Sequence, residues 1–115
     1  VTGGNLRRAD GGLIGEHATQ LIKQFRFDFA VIGCSALHEG GDILDFDIQE
    51  VGASKTIIQQ SDSVFLVADS SKFDRKAPVK IASLSEIDVF FTDHALPPPC
   101  ASFCATAQTR VQTLP

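Results

Sequence analysis

Three short apolar runs constrain the fold more than anything else in the chain. Phe29-Ala30-Val31-Ile32 stops at Gly33, Val64-Phe65-Leu66-Val67-Ala68 stops at Asp69, and Val89-Phe90-Phe91-Thr92 stops at Asp93. Unbroken runs of this length, rich in β-branched and aromatic residues and bounded by turn formers, read as strands buried on both faces, the signature of a parallel sheet.

Helical patterns separate the runs. Ile14, Ala18, Leu21, Ile22 and Phe25 share one face of a helix opened by Gly11-Gly12-Leu13-Ile14-Gly15 and predicted to end near Phe25. Asp47 with Glu50 three residues on resembles a capping box, followed by a helix to about Gln60 whose apolar side carries Ile48, Val51, Ile57 and Ile58. Cys34 to Asp45 reads as a loop, Val79-Lys80-Ile81 as a short extended piece and Ser83 to Glu86 as one helical turn. Pro97-Pro98-Pro99 introduces a helix over Cys100 to Gln108, and Val111 to Leu114 forms a last strand. The order predicts an α/β domain with a mostly parallel sheet flanked by helices. Right-handed crossovers would bring Gly33, Asp69 and Asp93 to one edge of that sheet.

Composition narrows the class. A chain of 115 residues is one domain by length, and 43% hydrophobic against 21% charged residues is a globular balance. A net charge of −4 lacks the basic footprint of a protein that grips nucleic-acid phosphates. No apolar run approaches the roughly 20 residues that span a bilayer, which predicts a soluble protein without a membrane role. Three cysteines without a spaced framework point to a reducing cytoplasm. The chain opens on Val1, contains no methionine, and begins with Val1-Thr2 reading as the end of a strand, so we expect a fragment of a longer polypeptide.

The stretch Ser63 to Lys72 combines a strand with chemistry, because its apolar run delivers a carboxylate and, three residues later, an ammonium. Ligands of open parallel sheets bind at the carboxyl ends of the strands. Asp69, Lys72 and Asp93 there would suit a polyol phosphate, the ammonium meeting phosphate and the carboxylates accepting from hydroxyls. The glycines Gly11, Gly12 and Gly15, at a helix start, could add backbone donors for an anion. Equally, Asp69 with Ser70-Ser71 is an ordinary Asx-type turn, and the glycines a tight turn. Asp47 and Glu50 read as helix-capping groups before they read as a catalytic pair.

Other candidates carry less. His17, His38 and His94 are scattered without a second ligand at metal spacing, and Cys100 and Cys104 share a helix face as a packed thiol pair. No nucleophile-base arrangement is defensible from spacing, and nothing calls for a cofactor or a metal.

Taken together, these segments resemble the C-terminal effector-sensing domain of the DeoR family of bacterial transcriptional repressors. The resemblance is carried by Gly3-Gly4-x-Leu6-Arg7, by Asp10-Gly11-Gly12-Leu13-Ile14-Gly15-Glu16, by Gln24-Phe25-Arg26-Phe27-Asp28-Phe29, by Leu44-Asp45-Phe46-Asp47-x-x-Glu50-Val51, and by Asp69-x-Ser71-Lys72-Phe73 followed by Thr92-Asp93. It implies a fold similar to ribose-phosphate isomerases, glucosamine-phosphate deaminases and CoA transferases, with a phosphorylated sugar or polyol, glycerol-3-phosphate first among them, bound at the strand ends. It places the effector pocket on Asp69, Ser71 and Lys72, on Gly11, Gly12 and Gly15, and on Asp47 and Glu50, with Gly33 and Asp93 on the same edge. It also implies a homo-oligomer, and operator DNA bound only through an N-terminal winged helix-turn-helix that this chain does not contain, any more than it contains the family's Asp-x-Gly-Thr-Thr phosphate loop. Departures from the pattern are Ser54-Lys55 in place of Lys-Arg, Ala36 in place of a second glycine after Gly33, and Asp74 in place of glycine after Phe73. The competing reading is an enzyme of the same fold, a sugar-phosphate isomerase or deaminase with Asp69 or Asp93 as general base.

Overall fold

The computed structural model describes residues 16–114. In chain order its elements are α1 (Glu16–Ile22), β1 (Phe27–Ile32), β2 (Ala36–Leu37), β3 (Asp42–Asp45), α2 (Ile48–Gln59), β4 (Ser61–Val67), a 3-10 turn (Ser70–Asp74), β5 (Val79–Ser83), a second 3-10 turn (Leu84–Glu86), β6 (Val89–Thr92), α3 (Pro98–Ala107) and β7 (Arg110–Thr113). The strands form a four-stranded sheet ordered β1-β4-β6-β7, parallel throughout, and a three-stranded antiparallel sheet ordered β2-β3-β5. The expected α/β architecture with a mostly parallel sheet flanked by helices is therefore present.

Each strand of the parallel sheet is added on the same side of the one before it. Right-handed crossovers repeated in one direction put their helices on a single face. That face carries Ala30, Ile32, Val64, Leu66 and Phe90, which join Val51 of α2, Cys100 and Cys104 of α3, and Leu37, Ile43, Ile81 and Ala82 of the antiparallel sheet in one buried core. Phe90 and Leu66 are fully buried, each adding about 1.5–3 kcal/mol by removal of its side chain from water. α1 seats Ile22 against Ala53, Ile57 and Phe27 beside α2.

The opposite face corrects the expectation of strands buried on both sides. Phe29 is 65% exposed, Val31 68% and Val67 49%, because no helix among the described residues crosses that face. The aromatic rings there cover only one another: Phe29 stacks on Phe65 with centroids 5.7 Å apart, and Phe65 meets Phe91 edge-on at 6.0 Å.

The predicted loop over Cys34 to Asp45 is a second correction, since it contains the hairpin β2-β3. Its turn is closed by His38 N–H donating to the Asp42 carbonyl and Gly41 N–H donating to the His38 carbonyl, both at 2.9 Å. Gly41 has φ +104°, and a Cβ there would lie 2.6 Å from the Phe103 ring, so both conformation and space demand glycine. Val79–Ile81 pairs with this hairpin and not with the parallel sheet.

Helix ends follow side-chain chemistry. α1 stops at Ile22, one turn short of Phe25, where the Gln60 amide donates to the carbonyls of Lys23 and Phe25 at 3.1 and 3.0 Å and holds the chain out of the helix. Asp47 caps α2, accepting from Gln49 N–H and Glu50 N–H at 2.8 and 3.3 Å. The reciprocal capping box forms instead at Ser83 and Glu86. α3 begins with Pro98 and ends where Gln108 turns left-handed at φ 63°.

Candidate functional site

The carboxyl ends of β1, β4 and β6 lie side by side, since Ile32 pairs with Leu66 and Val67 with Phe91. Three loops leave this edge, and each opens on residues singled out above. Gly33 follows β1; a Cβ there would meet nothing nearer than the Val67 carbonyl oxygen at 3.9 Å, so the space above it is open.

The loop after β4 is built by its own carboxylate. Asp69 caps the 3-10 turn, accepting from Ser71 N–H at 2.9 Å and from the Ser71 hydroxyl. Those two bonds, ahead of the nearby Lys72 charge, hold the Asp69 carboxyl below the usual range. Phe73 packs against the core and anchors the turn from below. Lys72 is thereby held half-buried at the turn's end, and among the described residues no carboxylate lies within 4.0 Å of its ammonium.

The loop after β6 is tied to the loop after β4. Asp93 Oδ1 accepts from Ser70 N–H at 2.8 Å and lies 3.2 Å from His94 Nδ1, which in turn is 3.3 Å from the Ser70 hydroxyl. The Ser70 bond, then the His94 contact, brings the exposed Asp93 carboxyl down to about 2. Thr92, one residue earlier, is buried with no partner for its hydroxyl.

A third side comes from the β2-β3 hairpin, which the sequence pattern does not reveal. Cys34 lies within electrostatic reach of Lys72, Asp45 and Asp69. Burial pushes its thiol up to about 11, with the Lys72 ammonium opposing and the two carboxylates reinforcing. Asp45 is fixed by the Ser35 hydroxyl and by Phe46 N–H, both donating to Oδ1 at 2.7 Å. Cys34, Ser35 and Ser70 were legible only as polar neighbours of the strand-end residues.

The structure thus brings together Gly33, Asp69, Ser71, Lys72 and Asp93. Asp47 lies two residues beyond Asp45, with its hydrogen bonds confined to the first turn of α2, and Glu50 occupies that same turn. Gly11, Gly12 and Gly15 fall outside the described residues. Lys55 lines a separate groove of about 270 Å³ with Ile58, Lys80 and Glu86, away from the Lys72 turn. Cys100 and Cys104 are buried free thiols, Cys100 pushed up to about 12 by burial, and Cys104 raised for the same reason. Among the described residues no three His, Cys, Asp or Glu side chains are grouped to hold a metal ion, and no helix is long and apolar enough to cross a membrane.

An α/β domain with carboxylates, hydroxyls and one lysine gathered at the ends of parallel strands belongs to the class that binds small polar ligands at that edge. The comparison with protein families is specific: the DeoR C terminal sensor domain matches residues 1–94, and the chain belongs to that family. It is 46% identical over 99 residues to the glycerol-3-phosphate regulon repressor of Escherichia coli, covering 86% of this chain and 38% of that protein. The repressor of the same name from Haemophilus influenzae is 46% identical over 92 residues, or 80% of this chain and 36% of the relative. The E. coli HTH-type transcriptional repressor CsqR is 35% identical over 98 residues, 85% of this chain and 37% of the relative. The chain spans less than two fifths of the length of these curated relatives.

Proposed function

We propose that this sensor domain binds a phosphorylated polyol or sugar at the strand-end cluster, that glycerol-3-phosphate is its effector, and that it works without catalysing a reaction. The observation that carries the reading is Lys72: a half-buried ammonium with no carboxylate within 4.0 Å among the described residues, flanked by carboxylates already fixed by their own turns. Lys72 would meet the phosphate. The hydrogen bonds to Asp69 and Asp93 recorded among the described residues fall on Oδ1, so each Oδ2 is placed to accept from a polyol hydroxyl. Ser71 supports Asp69, Gly33 leaves space for the ligand, and Gly11, Gly12, Gly15, Asp47 and Glu50 would complete the pocket.

The carboxylate environment favours a sensor over an isomerase or deaminase. A general base works best with a pKa near the operating pH, whereas Asp69 is lowered and Asp93 sits at about 2. The relatives named as repressors support a regulatory role, with effector binding relieving repression. A charge of −4 leaves operator contact to a DNA-binding module outside these 115 residues, in a self-associating protein.

Calorimetric titration with glycerol-3-phosphate, beside a Lys72→Ala variant, tests the reading. Loss of a charge-assisted contact of about 1.5–3 kcal/mol should weaken binding roughly ten- to a hundredfold. Equal affinity in the variant removes Lys72 from the pocket, and no saturable heat in the wild type removes glycerol-3-phosphate as the effector.

A further inference from the structure

The uncovered face of the parallel sheet has a direction. On β1 it presents Phe29 and Val31, 65% and 68% exposed; on β4, Val67 at 49% with Phe65 half-buried; on β6, Val89 and Phe91, both half-buried. On β7 the positions paired with Val89 and Phe91 are Arg110 and Gln112, so the face turns polar there. Apolar character and exposure both rise toward β1, whose outer edge pairs with no strand among the described residues.

Parallel sheets are found with both faces covered. The handedness of the crossovers says where a cover must come from. Moving from β1 to β4, β6 and β7, the chain always steps the same way, which sends every helix to the Ala30, Leu66 and Phe90 face. A right-handed crossover reaches the other face only if its strands step in the opposite direction, and the open place for such strands is beyond β1. We propose that the Phe29, Val31, Phe65 and Val67 face is an intramolecular docking surface for an apolar-faced helical layer of the same polypeptide. That layer would belong to strands added at the free edge of β1. Relatives more than twice as long as this chain have the residues for such a layer. A polar or charged partner is disfavoured, because the positions on this face of β1, β4 and β6 are Phe, Val and Ser.

The test is the accessibility of position 31. Val31→Cys, in a Cys34→Ser background, is labelled with a maleimide in the 115-residue chain and in the chain extended through its encoded upstream sequence. The extension should slow labelling at least tenfold, independently of protein concentration, while the 115-residue chain stays reactive. Equal rates in both would overturn the proposal. Protection already present in the 115-residue chain and growing with its concentration would also overturn it, assigning the face to a second copy. Sedimentation of the 115-residue chain with and without Phe29→Ser separates those outcomes, because only a face-to-face dimer would be dispersed by that change.

Discussion

At the scale of single residues, the strand-end cluster is a set of charges that shape one another. The Lys72 ammonium draws the Cys34 thiol down against the larger effect of burial, which lifts it to about 11. Lys72→Met should therefore move the Cys34 ionisation higher still, read from the pH dependence of thiolate absorbance or of alkylation; an unchanged profile would mean the two side chains do not sense each other. Asp93 gives a second handle. Its carboxyl is depressed to about 2 in the folded chain from an ordinary value near 4, so its contribution to stability is present above about pH 4 and is lost as the pH falls toward 2. Thermal melts across that window should show a steeper loss in the wild type than in Asp93→Asn. Much of this was legible: a carboxylate that ends an apolar run and a lysine three residues later mark a strand-end turn. Cys34, Ser35 and Asp45 were not, because they reach the cluster only when residues 34–45 fold back as a hairpin, and no periodicity announces a two-residue strand.

Elements differ in how plainly they are written. α2 has 12 residues, an apolar side and an aspartate cap, so its span follows almost directly from the pattern. α1 has the same kind of pattern but is cut short by the Gln60 amide from a segment 35 residues away, a contact that local spacing cannot contain. The β2-β3 hairpin rests on Gly41, whose φ of +104° and contact with the Phe103 ring admit no side chain. Gly41→Ala should cost on the order of 3 kcal/mol in chemical denaturation, from backbone strain and displacement of that ring. The neighbouring Gly40→Ala meets only the exposed His38 side chain and should cost about 0.5 kcal/mol or less. Similar losses at both positions would show that the turn is not what glycine is needed for.

For the molecule as a whole, the sheet order is the governing fact. A continuous apolar run looks the same in sequence whether its second face is covered by neighbouring residues or by something farther off, so the runs at Phe29 and Val64 predicted the strands but not their one-sided burial. The 115-residue chain should accordingly bind a hydrophobic dye such as ANS in its native state, and Phe29→Ser with Val31→Ser should remove at least half of that fluorescence without shifting the far-ultraviolet spectrum. Dye binding unaffected by the pair would place the accessible apolar surface elsewhere.

The bond from Ser70 N–H to Asp93 Oδ1 joins two loops that are 23 residues apart in sequence. Each loop alone would lose freedom when a ligand settled on it, and the two losses would add. Linked, they form a single lip whose ordering is already complete. A ligand anchored on the Lys72 side then finds the Asp93 side in place, so affinity gained at one loop is not surrendered in stilling the other. Cutting the link with Asp93→Asn would surface as a less favourable binding entropy before any contact to the ligand itself was lost.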